Sequence, residues 1–361
     1  MNSALIILFS IIVFSGFFLD KKIALGSTKI YNLTAYRIIA IVVFVFYATF
    51  RAYSVGIDTQ MYYIRYTRSA NYSFFQMLFH YKELRYGTSE IGYMCLECLI
   101  KQFGFDFRAL LFTVSVLFIV SVTWLIYRFS ENHLISFLLF ICFGYMSYSM
   151  CFMRQFVAIS FCLFSIKYVQ ERKFKAFLAC IFMAALFHTS ALIFIPFYFV
   201  SRIELNSKRK IILVCVIVFV NLFSNLFFRI IVQFGRLDYS NSAPGGGSGM
   251  NMYLLVTALI ALYFSNQLIE QSDSNRMLVW MAIMSAIVFP VVMNVAAMHR
   301  TAYYYTIGSI ALIPNLISSA KNKTYKYVLA AFYSFMAVYY LINVVGGSGN
   351  QFLPYYFYWQ V

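Results

Sequence analysis

"LLFTVSVLFIVSVTWLIY", Leu110 to Tyr127, runs for eighteen residues with no charge, no glycine and no proline. As a helix it would be about 27 Å long at 1.5 Å per residue, close to the roughly 30 Å of a bilayer's hydrocarbon core. Comparable apolar runs recur at Ala4 to Leu19, Ile38 to Phe50, Ile211 to Phe228 and Met277 to Val295. Hydrophobic residues make up 62% of the 361 positions and the mean hydropathy is +0.77, well beyond the roughly 45–50% apolar content of soluble domains. The chain therefore reads as an all-α polytopic integral membrane protein of about 11–12 transmembrane helices. Residues 1–361 form one transmembrane domain in this reading, with no room for a soluble one. The first run lacks a basic n-region and a small-residue cleavage site, and Asp20-Lys21-Lys22 follows it, so a retained first span is expected rather than a cleaved signal peptide.

The formal charge is +16, from 28 Lys and Arg against 12 Asp and Glu. Much of the lysine fits the excess of cations on cytoplasmic loops. No long basic run carries base-stacking aromatics, which argues against nucleic acid as a partner. Five of the seven cysteines lie in apolar runs and act as small hydrophobes. Cys95 and Cys98 form a C-x-x-C without a second pair or a well-spaced histidine, so packing is expected there and not zinc.

Orientation follows from the short loops. Lys21, Lys22 and Lys29 place the first loop in the cytoplasm, which puts residues 51–106 outside as a loop. Within it, Ser89 to Phe103 holds Glu90, Glu97 and Lys101, each costing roughly 2.5–3.5 kcal/mol at a bilayer centre. An interfacial or re-entrant helix is expected. Phe107 to Tyr127 then runs inward, Leu134 to Met150 outward, and Arg154 lies outside. Phe174 to Val200 is either one long span or a hairpin broken at His188 to Ser190. The hairpin keeps Ser201 to Lys210 and Lys321 to Lys326 in the cytoplasm and is preferred, although its arms of about 14 residues reach only some 21 Å. It would set His188 at the tip of an outward-facing cavity. Residues 235–249 form an external glycine-rich loop. Spans near Met250 to Leu268, Met277 to Ala297, Ala302 to Ser319 and Tyr325 to Val345 follow, and "FLPYYFYW" ends the chain as an aromatic interface anchor. No internal repeat is evident, which disfavours an inverted-repeat transporter.

Under this topology Arg51, Arg65, Arg68, Arg85, Arg154 and Arg300 gather on the side that the charge rule depletes. Their planar forks suit a pyrophosphate at headgroup depth; the bland alternative is snorkelling to headgroups. Arg154 in "CFMRQFVAIS" and Arg300 in "AAMHRTAYYY" have little around them but apolar residues. His188 in "ALFHTSALIF" is either a hydrogen-bonded structural residue or a general base, since an imidazole's ordinary pKa of about 6.5 suits that work. Asp58, two residues after Gly56, can accept a hydroxyl proton or pair with Arg51 or Arg65. Glu90 in "GTSEIGY" is either a first-turn residue favoured by the helix dipole or a substrate contact. There is no D-x-D and no G-x-x-x-x-G-K-[ST], so a nucleotide-sugar donor is unsupported and neither metal nor cofactor is expected.

"RAYSVGIDTQMYYIRY", "SEIGYMCLECLI", the block from "MRQFVAISF" through "ALFHTSALIF", and "HRTAYYYTIGSIALIPNLI" occur in this order between Arg51 and Ile317. Together they resemble the EpsG-like branch of the Wzy polymerases of O-antigen, capsule and exopolysaccharide. The residues 235–249 loop has no counterpart in that pattern. The resemblance implies a GT-C-like, multi-pass protein of the bacterial inner membrane. Such a protein joins undecaprenyl-pyrophosphate-linked repeat units on the periplasmic or outer face, within the lipid bilayer, with a chain-length regulator as a further partner. The positions matching it are Arg51, Asp58, Thr59, Tyr62, Arg154, Gln155, His188, Ser190, Arg300 and Tyr304. In that light Arg154, Arg300, Arg51 and Arg65 are candidates for pyrophosphate, and His188 or Asp58 for taking the acceptor proton. Thr59, Tyr62, Tyr63, Glu90, Gln155, Ser190 and Tyr304 are candidates for substrate contact. The reaction would be a metal-independent, inverting glycosyl transfer.

Three rival classes are set against this reading. A lipid-linked oligosaccharide flippase would want cationic sites on both faces. A membrane O-acyltransferase would use a buried histidine but leave the arginines without purpose, and an O-antigen ligase fits the quoted blocks less well. The topology is open to single-cysteine labelling in a cysteine-free background. Positions 60 and 240 should label from outside, and positions 173, 208 and 323 only after permeabilisation; outside labelling at 208 would refute the hairpin.

Overall fold

The computed structural model describes residues 3–20, 28–68, 73–80, 90–235, 247–295, 298–347 and 352–361. Arg85 and residues 236–246 of the glycine-rich loop lie outside them. The chain forms two compact units, Met1–Leu192 with Ser334–Val361, and Ile193–Tyr333. The described residues are helical throughout apart from turns and one isolated antiparallel bridge, Arg51 with Phe357.

The first unit begins with α1 (Ser3–Leu19) and α2 (Thr28–Thr49), followed by the short α3 (Thr59–Arg68), α4 (Phe74–His80) and α5 (Ile91–Gln102). At 12 residues, α5 is about 18 Å long and cannot cross a bilayer, in line with the interfacial or re-entrant element expected there. Next come α6 (Phe107–Phe129), α7 (His133–Cys142), α8 (Tyr145–Cys151), α9 (Met153–Gln170) and α10 (Phe174–Phe187). α6 starts where Asp106 accepts from the Arg108 and Ala109 amides, an N-cap that satisfies two of the first turn's unpaired donors. It packs between α2 and α9, with Phe118 edge-on to Phe156 at 4.8 Å. α9 and α10 pair closely.

The second unit holds α11 (Phe197–Val200), α12 (Ser207–Leu222), α13 (Ser224–Gly235), α14 (Ser248–Tyr263), α15 (Ser265–Gln271), α16 (Asn275–Val292), α17 (Tyr303–Thr306) and α18 (Ser309–Ser319). α19 (Lys323–Tyr340) runs from this unit back into the first. α16 is its axis: α12, α13, α14, α15 and α18 all pack on it. Asn275 at its start donates to the Leu268 carbonyl and accepts from Asn315, so buried amides join α15, α16 and α18.

The apolar runs of the sequence take three forms. By length and composition α6, α16 and Lys323–Asn343 are long and apolar enough to cross a membrane. Three further runs are bent pairs, α7 with α8 by 49°, α12 with α13 by 71° and α14 with α15 by 66°. Others, such as α1 and α10, are apolar but shorter than 18 residues. Leu134 to Met150 is thus two helices and not one, and the cause of that break is Gly144 with φ +77°, a left-handed conformation that glycine adopts without penalty.

A second interruption follows at Phe152, where α8 gives way to α9. The Met150 carbonyl at this helix end accepts from Arg51 Nη2 at 3.1 Å and from Thr59 Oγ1 at 3.5 Å. Arg51 also donates to the Ala48 carbonyl and is 1% exposed. The loop between α2 and α3 is thereby fastened to the α8–α9 break. Gly56 makes the fit possible: its φ is +89°, and a Cβ there would meet Thr59 Oγ1 at 3.0 Å and Cys151 Sγ at 3.2 Å. The left-handed conformation alone costs a residue with a Cβ about 1–2 kcal/mol. Gly56→Ala should therefore lower the thermal unfolding midpoint of the purified protein by several degrees, while Ser54→Ala in the same loop leaves it unchanged.

Candidate functional site

Two short amphipathic helices form the floor of the site. Asp58, Tyr62 and Arg65 recur at helical spacing along the start and body of α3, and Glu90, Tyr93 and Glu97 do so along α5. The two rows meet through Arg65, whose Nε and Nη2 donate to Glu97 Oε1 at 3.1 and 2.7 Å. Its guanidinium also lies 5.2 Å from the Tyr62 ring centre and 4.8 Å from that of Tyr93, within cation–π range. Lys101 of α5 donates to the Tyr66 and Thr67 carbonyls at 2.8 and 3.0 Å, closing the last turn of α3. Burial pushes the Glu97 carboxyl up from its ordinary value while Arg65 pulls it down, the expected tension in an ion pair withdrawn from water.

Glu90 caps the N-terminus of α5 with extended backbone and is 6% exposed. One of its oxygens, Oε2, accepts from Arg154 Nη1, and the other, Oε1, hydrogen-bonds His188 Nδ1. Arg154 stands in the first turn of α9, where unpaired amides add positive potential, and its Nε donates to the Tyr62 hydroxyl at 3.3 Å. His188 ends α10 in extended conformation, and a 3-10 turn, Thr189–Phe194, follows. The helix does break at His188 to Ser190.

Gly92 explains how Glu90 reaches His188. A Cβ on it would lie 2.9–3.0 Å from Leu186 Cβ, C and O, closer than real Cβ contacts come. The backbones of α5 and α10 thus touch at a point two residues from Glu90 on one side and two from His188 on the other. Only glycine permits that approach.

A cavity of about 550 Å³ opens beside this group, lined by Asp58, Met61, Tyr62, Ile64, Arg65, Arg68 and Arg154. Its volume is within the range of small-ligand sites. Met61 and Ile64 expose apolar surface at its edge. Arg65 and Arg154 are held by buried carboxylates, whereas the exposed Arg68 makes no ion pair among the described residues. The arrangement suits an amphiphile whose anionic group meets arginine and whose tail meets hydrocarbon.

The structure brings together Asp58, Tyr62, Arg65, Glu90, Arg154 and His188. Arg51, expected on pyrophosphate, is instead buried in backbone hydrogen bonds. Thr59 is fully buried, with Oγ1 on the Val55 carbonyl at 2.8 Å, and neither side chain lines the cavity. Tyr63 is turned from it and stacks on Tyr53 at 4.5 Å. Gln155 is buried in α9, and Ser190 is half-buried in the turn after His188. Arg300 and Tyr304 belong to the second unit, the former in the 3-10 turn His299–Ala302 and the latter buried in α17. Tyr93 and Glu97 escape a reading based on arginines alone; their spacing from Glu90, three and seven residues along one helix face, is the signal that marks them.

Residues 34–357, almost the whole chain, match the EpsG family, and the chain belongs to that family. No curated protein and no solved structure matches it. Family and apolar helices together make it a membrane protein of polysaccharide biosynthesis.

The close approach at Gly92 can be tested without an activity assay. Cysteines placed at positions 90 and 188 of a cysteine-free chain should be joined by a short bifunctional thiol reagent, which spans the gap that the glutamate and imidazole now fill. Adding Gly92→Val, which must lift α5 off α10, should reduce the cross-linked fraction several-fold.

Proposed function

We propose that this member of the EpsG family is a polysaccharide polymerase, an inverting glycosyltransferase that uses a lipid pyrophosphate as its activated donor. The observation that carries this reading is the sharing of Glu90 between Arg154 and His188 at the edge of an arginine-lined cavity. A cation for a leaving group and an oriented base for an acceptor thereby stand on one carboxylate.

In the reaction the donor is a growing glycan on undecaprenyl pyrophosphate, and the acceptor is a hydroxyl of a lipid-linked repeat unit. Arg154, Arg65 and Arg68 hold the pyrophosphate. Arg300 remains a further candidate from its apolar sequence setting. His188, with Nδ1 engaged by Glu90, has Nε2 as its proton-accepting nitrogen, in the manner of a carboxylate-oriented imidazole. Nε2 takes the hydroxyl proton as the acceptor oxygen bonds to the anomeric carbon from the face opposite the pyrophosphate. The bond from that carbon to the phosphate oxygen breaks, its electron pair leaves on undecaprenyl pyrophosphate, and the configuration inverts. Arginines aimed at the oxygen where charge gathers supply the electrostatic part of the rate. Tyr62, against Arg154 and on the cavity wall, is placed for a sugar ring or hydroxyl, and Asp58 is the second candidate base on that wall. The topology read from the loops puts this cavity on the outer face of the bacterial cytoplasmic membrane.

Purified protein supplied with lipid-linked repeat units tests the assignment. Arg154→Lys keeps the charge but loses the fork, and should reduce polymer ladders to single repeat units. His188→Ala should lower turnover by about 10²–10⁴-fold, more than Asp58→Asn. A base works only when deprotonated, so activity should fall as the pH drops, and His188→Ala should remove that acid-side limb. Full ladders from Arg154→Lys, or an unchanged pH profile in His188→Ala, would overturn the corresponding role.

A further inference from the structure

The arginines of the cavity do not stand idle. Arg65 is matched by Glu97, whose Oε1 takes both of its hydrogen bonds and whose side chain is 2% exposed. That pair joins two helices, and among the described residues neither side chain makes another hydrogen bond. Glu90 differs, because its two oxygens serve two different groups, a guanidinium and an imidazole. A pyrophosphate arriving on Arg154 meets a carboxylate already in place.

We propose that Glu90 is a positioning residue that exchanges partners: the substrate's pyrophosphate replaces it on Arg154, and its carboxylate keeps His188. This rests on the reading of the site given above and adds an order of events to it. Arg154 need not move, since its Nε is anchored to the Tyr62 hydroxyl at 3.3 Å and its ring contact with Tyr62 persists. A pyrophosphate presents more charge and more acceptor oxygens than one carboxylate, and so prevails at a shared donor. Once released from the arginine, the Glu90 charge is offset less than before. It then better fixes the Nδ1–H tautomer and better stabilises the imidazolium formed when Nε2 takes the acceptor proton. The other charged or titratable groups around the pair and on the adjoining cavity wall are Asp58 just before α3, Tyr62, Arg65 and Arg68 from α3, Tyr93 and Glu97 from α5, and Arg154 from α9. Of these Arg154 shares the carboxylate with His188, one at each oxygen. The base is thereby readied by the donor, and an empty site holds a quenched one.

A brace and an exchanging partner respond in opposite ways to Glu90→Gln. A glutamine still accepts from His188 Nδ1–H but competes weakly for a guanidinium. Binding of inorganic pyrophosphate to the purified full chain, followed by calorimetry, should therefore tighten by about tenfold in Glu90→Gln, the worth of one charge-assisted hydrogen bond. Polymer turnover should fall at least tenfold in the same variant, and Glu90→Asp should restore part of it. A brace would lose affinity and turnover together, and weaker binding in Glu90→Gln would overturn the exchange while leaving the site assignment intact. Failure of the wild type to bind pyrophosphate would instead remove that assignment, and the exchange with it. A measurement on the wild type guards against a variant that misfolds. In protein labelled with ¹⁵N-histidine, the Nδ1 resonance absent from His188→Gln should shift toward stronger hydrogen bonding when pyrophosphate is added. A resonance that stays fixed while calorimetry records binding would overturn the proposal.

Discussion

A buried guanidinium must find hydrogen-bond acceptors or cost several kcal/mol, and Arg51 finds them in the Ala48 and Met150 carbonyls. The second of these exists as a free acceptor because α8 stops at Cys151 and α9 restarts at Met153. One interaction therefore ties the end of α2 to the junction of α8 and α9. α3 grows out of the loop so fixed and α9 carries Arg154 in its first turn, so Tyr62 and Arg154 come into register through a residue that touches neither substrate nor cavity. An arginine that reads in the sequence as one more pyrophosphate candidate builds the frame for the others.

The cavity also has an electrical logic that counting cations misses. Arg65 and Arg154 each face a buried carboxylate, and Asp58 is a further acid on the cavity wall. Surrounding protein thus offsets the charge of two of the three arginines on the cavity wall. Unpaired guanidinium groups withdrawn from water would be costly. Pairing them avoids that cost and holds their donors in fixed geometry.

Much of this architecture is legible in the residues. Charge content and apolar runs identify a polytopic helical protein, and Glu90, Glu97 and Lys101 mark α5 as too polar to span. "HTS" shows a break that the helix does make at His188. Other features lack a local signature. α12 and α14 bend by 71° and 66° against their following helices without a proline at either joint. The burial of Arg51 depends on a carbonyl 99 residues away, and sequence spacing gives no access to a contact of that range. The pairing of Glu90 with His188 is likewise long-range, yet its enabling residue, Gly92, sits in plain view inside a helix where glycine is otherwise unfavourable.

The bridge between Arg51 and Phe357 has a further meaning. Ala52 donates to the Tyr356 carbonyl and Tyr358 to that of Phe50, so the loop that launches α3 is stitched to a segment within the last six residues of the chain. Those partners lie about 300 positions apart in the sequence, so bringing them together carries the entropic cost of closing a very long loop. The clasp therefore holds only while the packing around both of its ends holds, and loosening residues 356–358 loosens the loop that launches α3.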